Sequence, residues 1–332
     1  MTEEKRRSSS GLWMTIIFLT LFLLFSVAVN FGVIIVSMIR GVGNSSANDP
    51  SFEEQHIYGS GRAKVVRISL DGIIMRKVSG GGLLGGQIDM IDSLKKQIKA
   101  AENDDLVCAI ILDVNSPGGA VTPTDELYRA LLDFKESRND RKIVTFVRDM
   151  AASGAYWLSV SGDWIIAEPT AIVGSIGVIM QTYNWKELSE KIGITDMTIK
   201  SGKNKDILNP FKDVSPEQVA IIQEVINDSF DYFKNVVKMG RNMDEDTLSP
   251  LADGRVFTSK TAMSNGLIDE IGYWDDAVEY TKRMLGVKNI KIVSYRRHRG
   301  FGSIFSGVNL NGLPGVFQSS TPRLMSVWSP GI

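Results

Sequence analysis

The chain has 332 residues, of which 43% are hydrophobic and 23% are charged, and its formal net charge is -1. This composition suits a protein with a sizeable buried core and excludes a disordered or fibrous chain. Since 37 basic residues balance 38 acidic ones, we expect no general electrostatic attraction to nucleic acid.

Cysteine and histidine are scarce. The single cysteine, Cys108, excludes a disulfide within the chain and a cysteine metal cluster. The two histidines, His56 and His298, fall in segments that we interpret as a linker and a tail. This position argues against a Ser-His-Asp triad and against a histidine metal site.

The N-terminal region predicts a membrane anchor. Residues 12–39 are almost uninterruptedly apolar and uncharged, and this exceeds the roughly 20 residues that a helix needs to cross a bilayer. A signal peptide has an apolar core of only about 7 to 15 residues, so a retained helix is favoured, with cleavage near Ser45-Ser46-Ala47 as the minority alternative. Three basic residues precede the helix, which predicts a cytoplasmic N-terminus at 1–11 and an external remainder.

Residues 40–61 are small and polar, which is typical of a linker. A strand is predicted at 65–70, and the glycines between 80 and 86 indicate a flexible loop. Because the chain contains no G-x-x-x-x-G-K-[ST] pattern, we predict no ATP site.

Strands and helices then alternate along the chain. The predicted strands lie at 106–114, 143–147 and 164–167, and the predicted helices lie at 88–101, around 127–134 and at 154–160. This order predicts an α/β fold with a mainly parallel sheet, in which sites form at the carboxyl ends of strands.

Two turns follow such strand ends. In the first, Pro117-Gly118-Gly119 permits backbone amides to face a ligand, although an ordinary turn explains it equally. In the second, Ser153 lies between a strand and a helix, so its hydroxyl stands beside the first amides of the helix, which are suited to hold an oxyanion. The alternative interpretation makes Ser153 only the N-cap of that helix.

The second half of the chain is less regular. A strand predicted at 194–200 leads into a loop with two lysines at 203 and 205, and Ser215-Pro216 begins a long amphipathic helix. A further helix is predicted at 274–285. From Arg296 onward the chain is rich in glycine and serine, which predicts a tail of uncertain order.

Five motifs carry a family resemblance. They are Asn115-Ser116-Pro117-Gly118-Gly119, Ala151-Ala152-Ser153-Gly154, Val173-Gly174-Ser175-Ile176-Gly177-Val178, Lys200-Ser201-Gly202 with 203–206, and Asp253-Gly254-Arg255-Val256-Phe257. In this order the chain resembles the short form of the signal peptide peptidase A family, membrane-anchored bacterial serine proteases with a Ser-Lys dyad. The S-P-G-G element by itself also resembles Clp protease subunits and crotonase-like enzymes.

The resemblance implies a crotonase-like/Clp protease α/β superhelix of repeated ββα units. It implies Ser153 as nucleophile, Lys205 as general base and Ser175 as the serine that hydrogen-bonds the lysine. The oxyanion-hole candidates are the amides of Gly118, Gly119 and Gly154. The hole donor stays open, because the chain departs from the family pattern at Ala120, Ala155 and Val173. Lys203 stays open as an alternative base.

The resemblance also implies the substrate and the assembly. The substrate is an apolar peptide, such as a cleaved signal peptide left in the membrane, and neither a metal, another cofactor nor ATP is required. The family forms homo-oligomers whose neighbouring subunits complete each active site. The predicted organisation is a cytoplasmic N-terminus, an anchor, a linker, a protease domain and a tail, at 1–11, 12–39, 40–61, 62–290 and 291–332.

Two other functions are compatible with the same fold. One is a crotonase-type acyl-CoA enzyme, which usually needs acidic residues at the reacting carbon and access to cytoplasmic CoA. The other is a catalytically inactive membrane scaffold. An external domain would be separated from cytoplasmic CoA, which argues against the acyl-CoA enzyme. The presence of Ser153, Ser175 and Lys205 together argues against the scaffold.

Overall fold

The computed structural model describes residues 10–42, 52–76, 89–297 and 325–327. The predicted glycine-rich loop, His298 and most of the predicted tail lie outside these residues. The chain divides into two units, residues 1–48 and 49–332.

Nine α-helices and eleven β-strands are formed by the described residues. The helices are α1 (Ser10–Val42), α2 (Met90–Asn103), α3 (Val121–Glu136), α4 (Gly154–Ser159), α5 (Lys186–Lys191), α6 (Pro216–Arg241), α7 (Glu245–Leu248), α8 (Ser259–Ser264) and α9 (Trp274–Leu285). The strands are β1 (Phe52–Tyr58), β2 (Ala63–Asp71), β3 (Val107–Ser116), β4 (Gly118–Ala120), β5 (Lys142–Ala152), β6 (Trp164–Ala167), β7 (Ile172–Gly174), β8 (Val256–Thr258), β9 (Glu270–Ile271), β10 (Ile290–Arg297) and β11 (Met325–Val327).

The first unit contains α1, a helix of 33 residues that covers the predicted anchor. Within it, Trp13–Gly32 is long and apolar enough to cross a membrane, as judged by length and composition. An N-terminal signal sequence meets the same criterion.

The second unit is organised around a nine-stranded sheet in the order β1-β10-β2-β3-β5-β6-β9, with β7 beside β5 and β8 beside β7. The pairs β10–β2, β2–β3, β3–β5, β5–β6, β5–β7 and β6–β9 are parallel. The prediction of an α/β fold with a mainly parallel sheet is therefore confirmed.

The central strand β3 is buried on both faces of the sheet. Successive side chains of a strand point to opposite faces, so its residues enter two different cores. On β3, Ile110 and Leu112 join the core formed with α2, α3 and α4, whereas Ala109 and Ile111 join the core that includes α9. This two-sided burial explains why the central strands are nearly continuous apolar runs in the sequence.

Helix α6 begins as predicted. The Ser215 hydroxyl accepts a hydrogen bond from the Gln218 N–H at 3.3 Å, and the Gln218 side chain accepts one from the Ser215 N–H at 3.2 Å. Pro216 occupies the first turn, where its missing N–H has no partner to lose. Only the C-terminal half is buried, through Phe233 and its neighbours.

Three segments differ from the sequence-based expectations. Residues 194–200 form no strand and are irregular, because no neighbouring strand pairs with them in the described part of the chain; Met197 and Ile199 are 88% and 95% exposed. Part of the predicted linker is β1, which pairs antiparallel with β10 and contains His56. Parts of the predicted tail are β10, which pairs parallel with β2 from Ile290 onward, and β11, which pairs antiparallel with β4.

Candidate active site

Ser153 occupies a strained turn between β5 and α4. Its φ and ψ are 56° and −120°, a conformation that side-chain-bearing residues rarely adopt and that needs support from the surrounding structure. That support is present, because the Ser153 N–H donates to the Gly174 carbonyl at 2.7 Å and the Ser153 carbonyl accepts from the Trp157 N–H at 2.9 Å. The backbone of Ser153 is thus held from the sheet and from the helix.

The side chain of Ser153 does not cap the helix. It makes no capping hydrogen bond, and its Oγ lies 3.5 Å from the Gly177 carbonyl oxygen. A capping serine normally adopts an extended backbone and accepts from the second or third amide of the helix. The interpretation of Ser153 as a simple N-cap is therefore wrong.

The six residues of α4 are all buried and are fastened to the rest of the unit. The Tyr156 hydroxyl donates to the Leu267 carbonyl at 2.8 Å, and burial raises the pKa of this phenol. Trp157 stacks on Phe233 of α6, with ring centroids 4.8 Å apart. These contacts fix the helix whose N-terminus adjoins Ser153.

Ser175 lies beside Ser153. It follows β7 directly, and the parallel pairing of Ala152 with Gly174 places the two serines side by side at the same edge of the sheet. Ser175 also has a positive φ, 52°, and its N–H donates to the Arg255 carbonyl at 2.8 Å. Two of the predicted site residues are therefore brought together by strand register.

The glycine turn after β3 lies next to the same edge, because Ser116 pairs with Ala151. The Gly118 N–H donates to the Ser116 hydroxyl at 3.1 Å, and φ of Gly118 is 92°, which favours glycine. The Gly118 carbonyl and the Ala120 N–H both bond to Ile74, at 2.9 and 2.7 Å. The intervening amide of Gly119 consequently points to the opposite side of β4.

Strand β11 lies on that opposite side. Ser326 stands opposite Gly119, and Met325 exchanges two hydrogen bonds with Ile179, both of 2.9 Å. An extended segment is thus flanked by backbone donors and acceptors on both of its edges. Such an arrangement is suited to bind any extended peptide through its main chain.

Gly119 is sterically required in this arrangement. A Cβ atom at this position would lie 2.0 Å from the Ile74 carbonyl oxygen, a backbone atom that moves only with its own segment of the chain. We expect Gly119→Ala to destabilise the fold by about 1–3 kcal/mol, measured as a lower Tm. The control is Gly202→Ala, whose added Cβ atom would have no neighbouring atom within 4 Å. This substitution should change the free energy of unfolding by less than about 0.5 kcal/mol. Equal Tm values for the two variants would contradict the close packing of β4 on Ile74.

The lysines lie in the irregular segment that precedes α6. Lys203 pairs with Glu217 of α6, and Lys200 pairs with Asp206. Lys205 is exposed, and within the described residues its ammonium group makes no hydrogen bond or ion pair. The structure therefore brings Ser153, Ser175 and the glycine turn together, whereas no described contact joins Lys205 to them.

Sequence reasoning missed β11 and the backbone of Ile179 that pairs with it. A three-residue strand inside a tail rich in glycine and serine shows no usable periodicity, so its partner could not be inferred. Among the residues that the structure describes, no group of three or more His, Cys, Asp or Glu side chains is arranged to hold a metal ion.

Comparisons with known proteins show similarity to a family of peptidases. Residues 135–288 match the model of peptidase family S49. A candidate signal peptide peptidase SppA of Enterococcus faecium is 33% identical over 287 residues, which cover 86% of this chain and 81% of that protein. A candidate protease of Methanocaldococcus jannaschii is 36% identical over 208 residues, 63% of this chain and 64% of that protein.

A third relative is longer. The chloroplastic serine protease SPPA of Arabidopsis thaliana is 28% identical over 253 residues, which cover 75% of this chain but 37% of that protein. The chain thus spans most of the Enterococcus relative and little more than a third of the plant one.

Proposed function

The chain belongs to the signal peptide peptidase A family of serine proteases, peptidase family S49, and we propose that it cleaves apolar peptides by a Ser-Lys dyad formed by Ser153 and Lys205. The observation that carries the proposal is the conformation of Ser153. Its buried hydroxyl is presented by a strained turn and caps no helix, beside Ser175 and the glycine turn. Structural serines rarely need such a backbone.

The proposed chemistry has two steps. Ser153 Oγ attacks the peptide carbonyl while its proton passes to neutral Lys205, and the ammonium then gives a proton to the leaving amine, which yields a serine ester. Lys205 next takes a proton from the water that attacks the ester carbonyl. The ester bond then breaks as Lys205 returns a proton to Ser153 Oγ, which releases the carboxylic acid product and regenerates Ser153. Of the three predicted oxyanion donors, Gly119 and Gly154 are favoured, because the Gly118 amide already bonds to Ser116.

Lys205 is suited to this role only when it is neutral and close to Ser153. We propose that a second copy of the chain covers this segment and completes the site, since the Lys205 side chain is exposed in the single chain and no described contact joins it to Ser153. Support comes from the apolar side chains exposed nearby, which include Met197, Ile199, Val219 and Val225. Exposed apolar surface of this kind is typical of an interface between subunits.

We propose that substrates bind where β11 lies, as an extended strand between β4 and Ile179. In the single chain the tail occupies this groove and competes with them. Met325→Pro removes the N–H that donates to the Ile179 carbonyl, so we expect KM for a fluorogenic peptide to fall about two- to tenfold, with kcat unchanged. Met325→Leu retains the N–H and should keep the original KM. An unchanged KM in Met325→Pro would exclude competition by the tail.

For the remaining organisation we propose that residues 12–39 are a retained membrane anchor, with a cytoplasmic N-terminus and an external protease domain at 62–290 that is preceded by β1. The apolar helix α1 supports the anchor. We also propose the crotonase-like/Clp protease superhelix. It is supported by the consecutive β3, β4 and α3, which form one ββα unit, and by β6, β7 and α5, which have the same order.

The proposed function is tested by reacting the full-length chain, purified in detergent, with a fluorophosphonate probe and mapping the adduct by mass spectrometry. We expect one adduct, on Ser153, and cleavage of an apolar peptide by the unlabelled enzyme. A folded preparation that neither reacts nor cleaves would favour the inactive scaffold. Conversion of an acyl-CoA that survives Ser153→Ala would favour the acyl-CoA enzyme.

A further inference from the structure

A network of alternating charges surrounds the residue that follows Lys205. The Asp206 side chain is only 8% exposed, and its two carboxylate oxygens accept separately from the ammonium groups of Lys200 and Lys212. Lys212 also pairs with Asp196 at 3.1 Å, so the network holds two positive and two negative charges. These hydrogen bonds, first from Lys200 and then from Lys212, lower the pKa of Asp206 to about 2.

The network also orders the backbone around Lys205. Lys200 Nζ donates to the Lys203 carbonyl at 2.8 Å, and the Asn209 N–H donates to the Asp206 carbonyl at 3.0 Å. Because residues 194–200 pack few apolar side chains, such polar contacts supply much of the local order. The loop that carries Lys205 is thereby held by the bonds of Lys200 to the Lys203 carbonyl and to the Asp206 carboxylate.

Two further lysines of this region are paired with other carboxylates. Lys203 pairs with Glu217 of α6, and Lys186 of α5 pairs with Asp213. Asp206 directly follows Lys205 in the chain, and both of its carboxylate oxygens accept hydrogen bonds from other lysines.

A carboxylate beside a lysine stabilises the ammonium form, whereas a general base must be neutral. We propose that Lys200 and Lys212 are positioning residues that hold the Asp206 carboxylate away from Lys205, so that Lys205 is able to lose its proton and act as the base. The inference rests on the proposed function of Lys205. It assigns to an otherwise ordinary ion network the task of keeping a neighbouring carboxylate from stabilising the charged form of the catalytic base.

The test compares pH profiles of kcat/KM for a fluorogenic apolar peptide, using the full-length chain in detergent. In the double variant Lys200→Met with Lys212→Met, Asp206 is released, and we expect the acidic limb of the profile to move up by about 1 pH unit, with the plateau retained at high pH. Adding Asp206→Asn should return the limb to its original position. Lys186→Met, which removes a lysine from a different ion pair, should leave the limb in place.

The outcomes separate this inference from the proposed function. If Lys205→Ala is inactive but the double variant leaves the limb unmoved, the dyad stands and the inference fails. A loss of activity at every pH that Asp206→Asn does not restore also overturns the inference, because it indicates a collapsed loop. If Lys205→Ala retains full activity, the proposed dyad itself fails.

Discussion

Replacing Ser153 with alanine is expected to lower kcat/KM for peptide cleavage at least about 10⁴-fold and to abolish labelling by a fluorophosphonate. The physical reason is that no other group at this edge of the sheet is both a hydroxyl in a strained turn and adjacent to the first amides of a helix, within the residues described. Steady-state rates and mass mapping of the adduct provide the measurement.

The matched control for this substitution is Ser159→Ala. Ser159 is also a buried serine of the same region, but its hydroxyl donates to the Ala155 carbonyl of α4 at 2.8 Å. Its removal should cost at most about 1.5 kcal/mol of stability and leave the rate of cleavage nearly unchanged. Retained turnover in Ser153→Ala, or an equal loss in Ser159→Ala, would show that Ser153 is not the nucleophile.

The second large effect is the loss of activity expected when Lys205 is replaced with alanine. We expect kcat to fall about 10²- to 10⁴-fold near neutral pH, because Ser153 then lacks a base to accept its proton. Labelling of Ser153 should slow in parallel, while the folded state is retained, since the Lys205 side chain is exposed. Rates of labelling and of peptide cleavage, measured on the same preparation, test this expectation.

Lys203→Ala distinguishes the two candidate bases. The ammonium group of Lys203 pairs with the Glu217 carboxylate at the surface, and exposed pairs of this kind contribute little to stability. We therefore expect less than a twofold change in kcat for Lys203→Ala. The opposite ranking, with Lys203→Ala inactive and Lys205→Ala active, would transfer the role of base to Lys203.

The regular elements were predictable where local pattern and burial agree. Strand β3 is a continuous apolar run because both of its faces are covered. Helix α6 begins directly after Ser215, because a capping box satisfies its first amides and Pro216 has no N–H that needs a partner. These signals lie within a few neighbouring residues, so they can be recognised in the sequence without knowledge of the fold.

The wrong predictions concern segments whose structure depends on strand partners that are distant in sequence. Residues 194–200 have the composition of a strand, but a strand exists only where another strand supplies hydrogen bonds, and no described segment does so. Conversely, β1 and β11 are recognisable only through their partners β10 and β4, which lie far away in sequence.

The sequence by itself determined the α/β class, the apolar N-terminal helix and the family, because apolar periodicity, length and short motifs are local properties of the chain. It also identified the turns that carry Ser153 and the glycines. Only the tertiary structure decided that Ser153 has a positive φ and does not cap its helix, that Ser175 stands beside it, and that the Asp206 carboxylate is held by Lys200 and Lys212. These features depend on strand register and on contacts between distant segments, which no local pattern encodes.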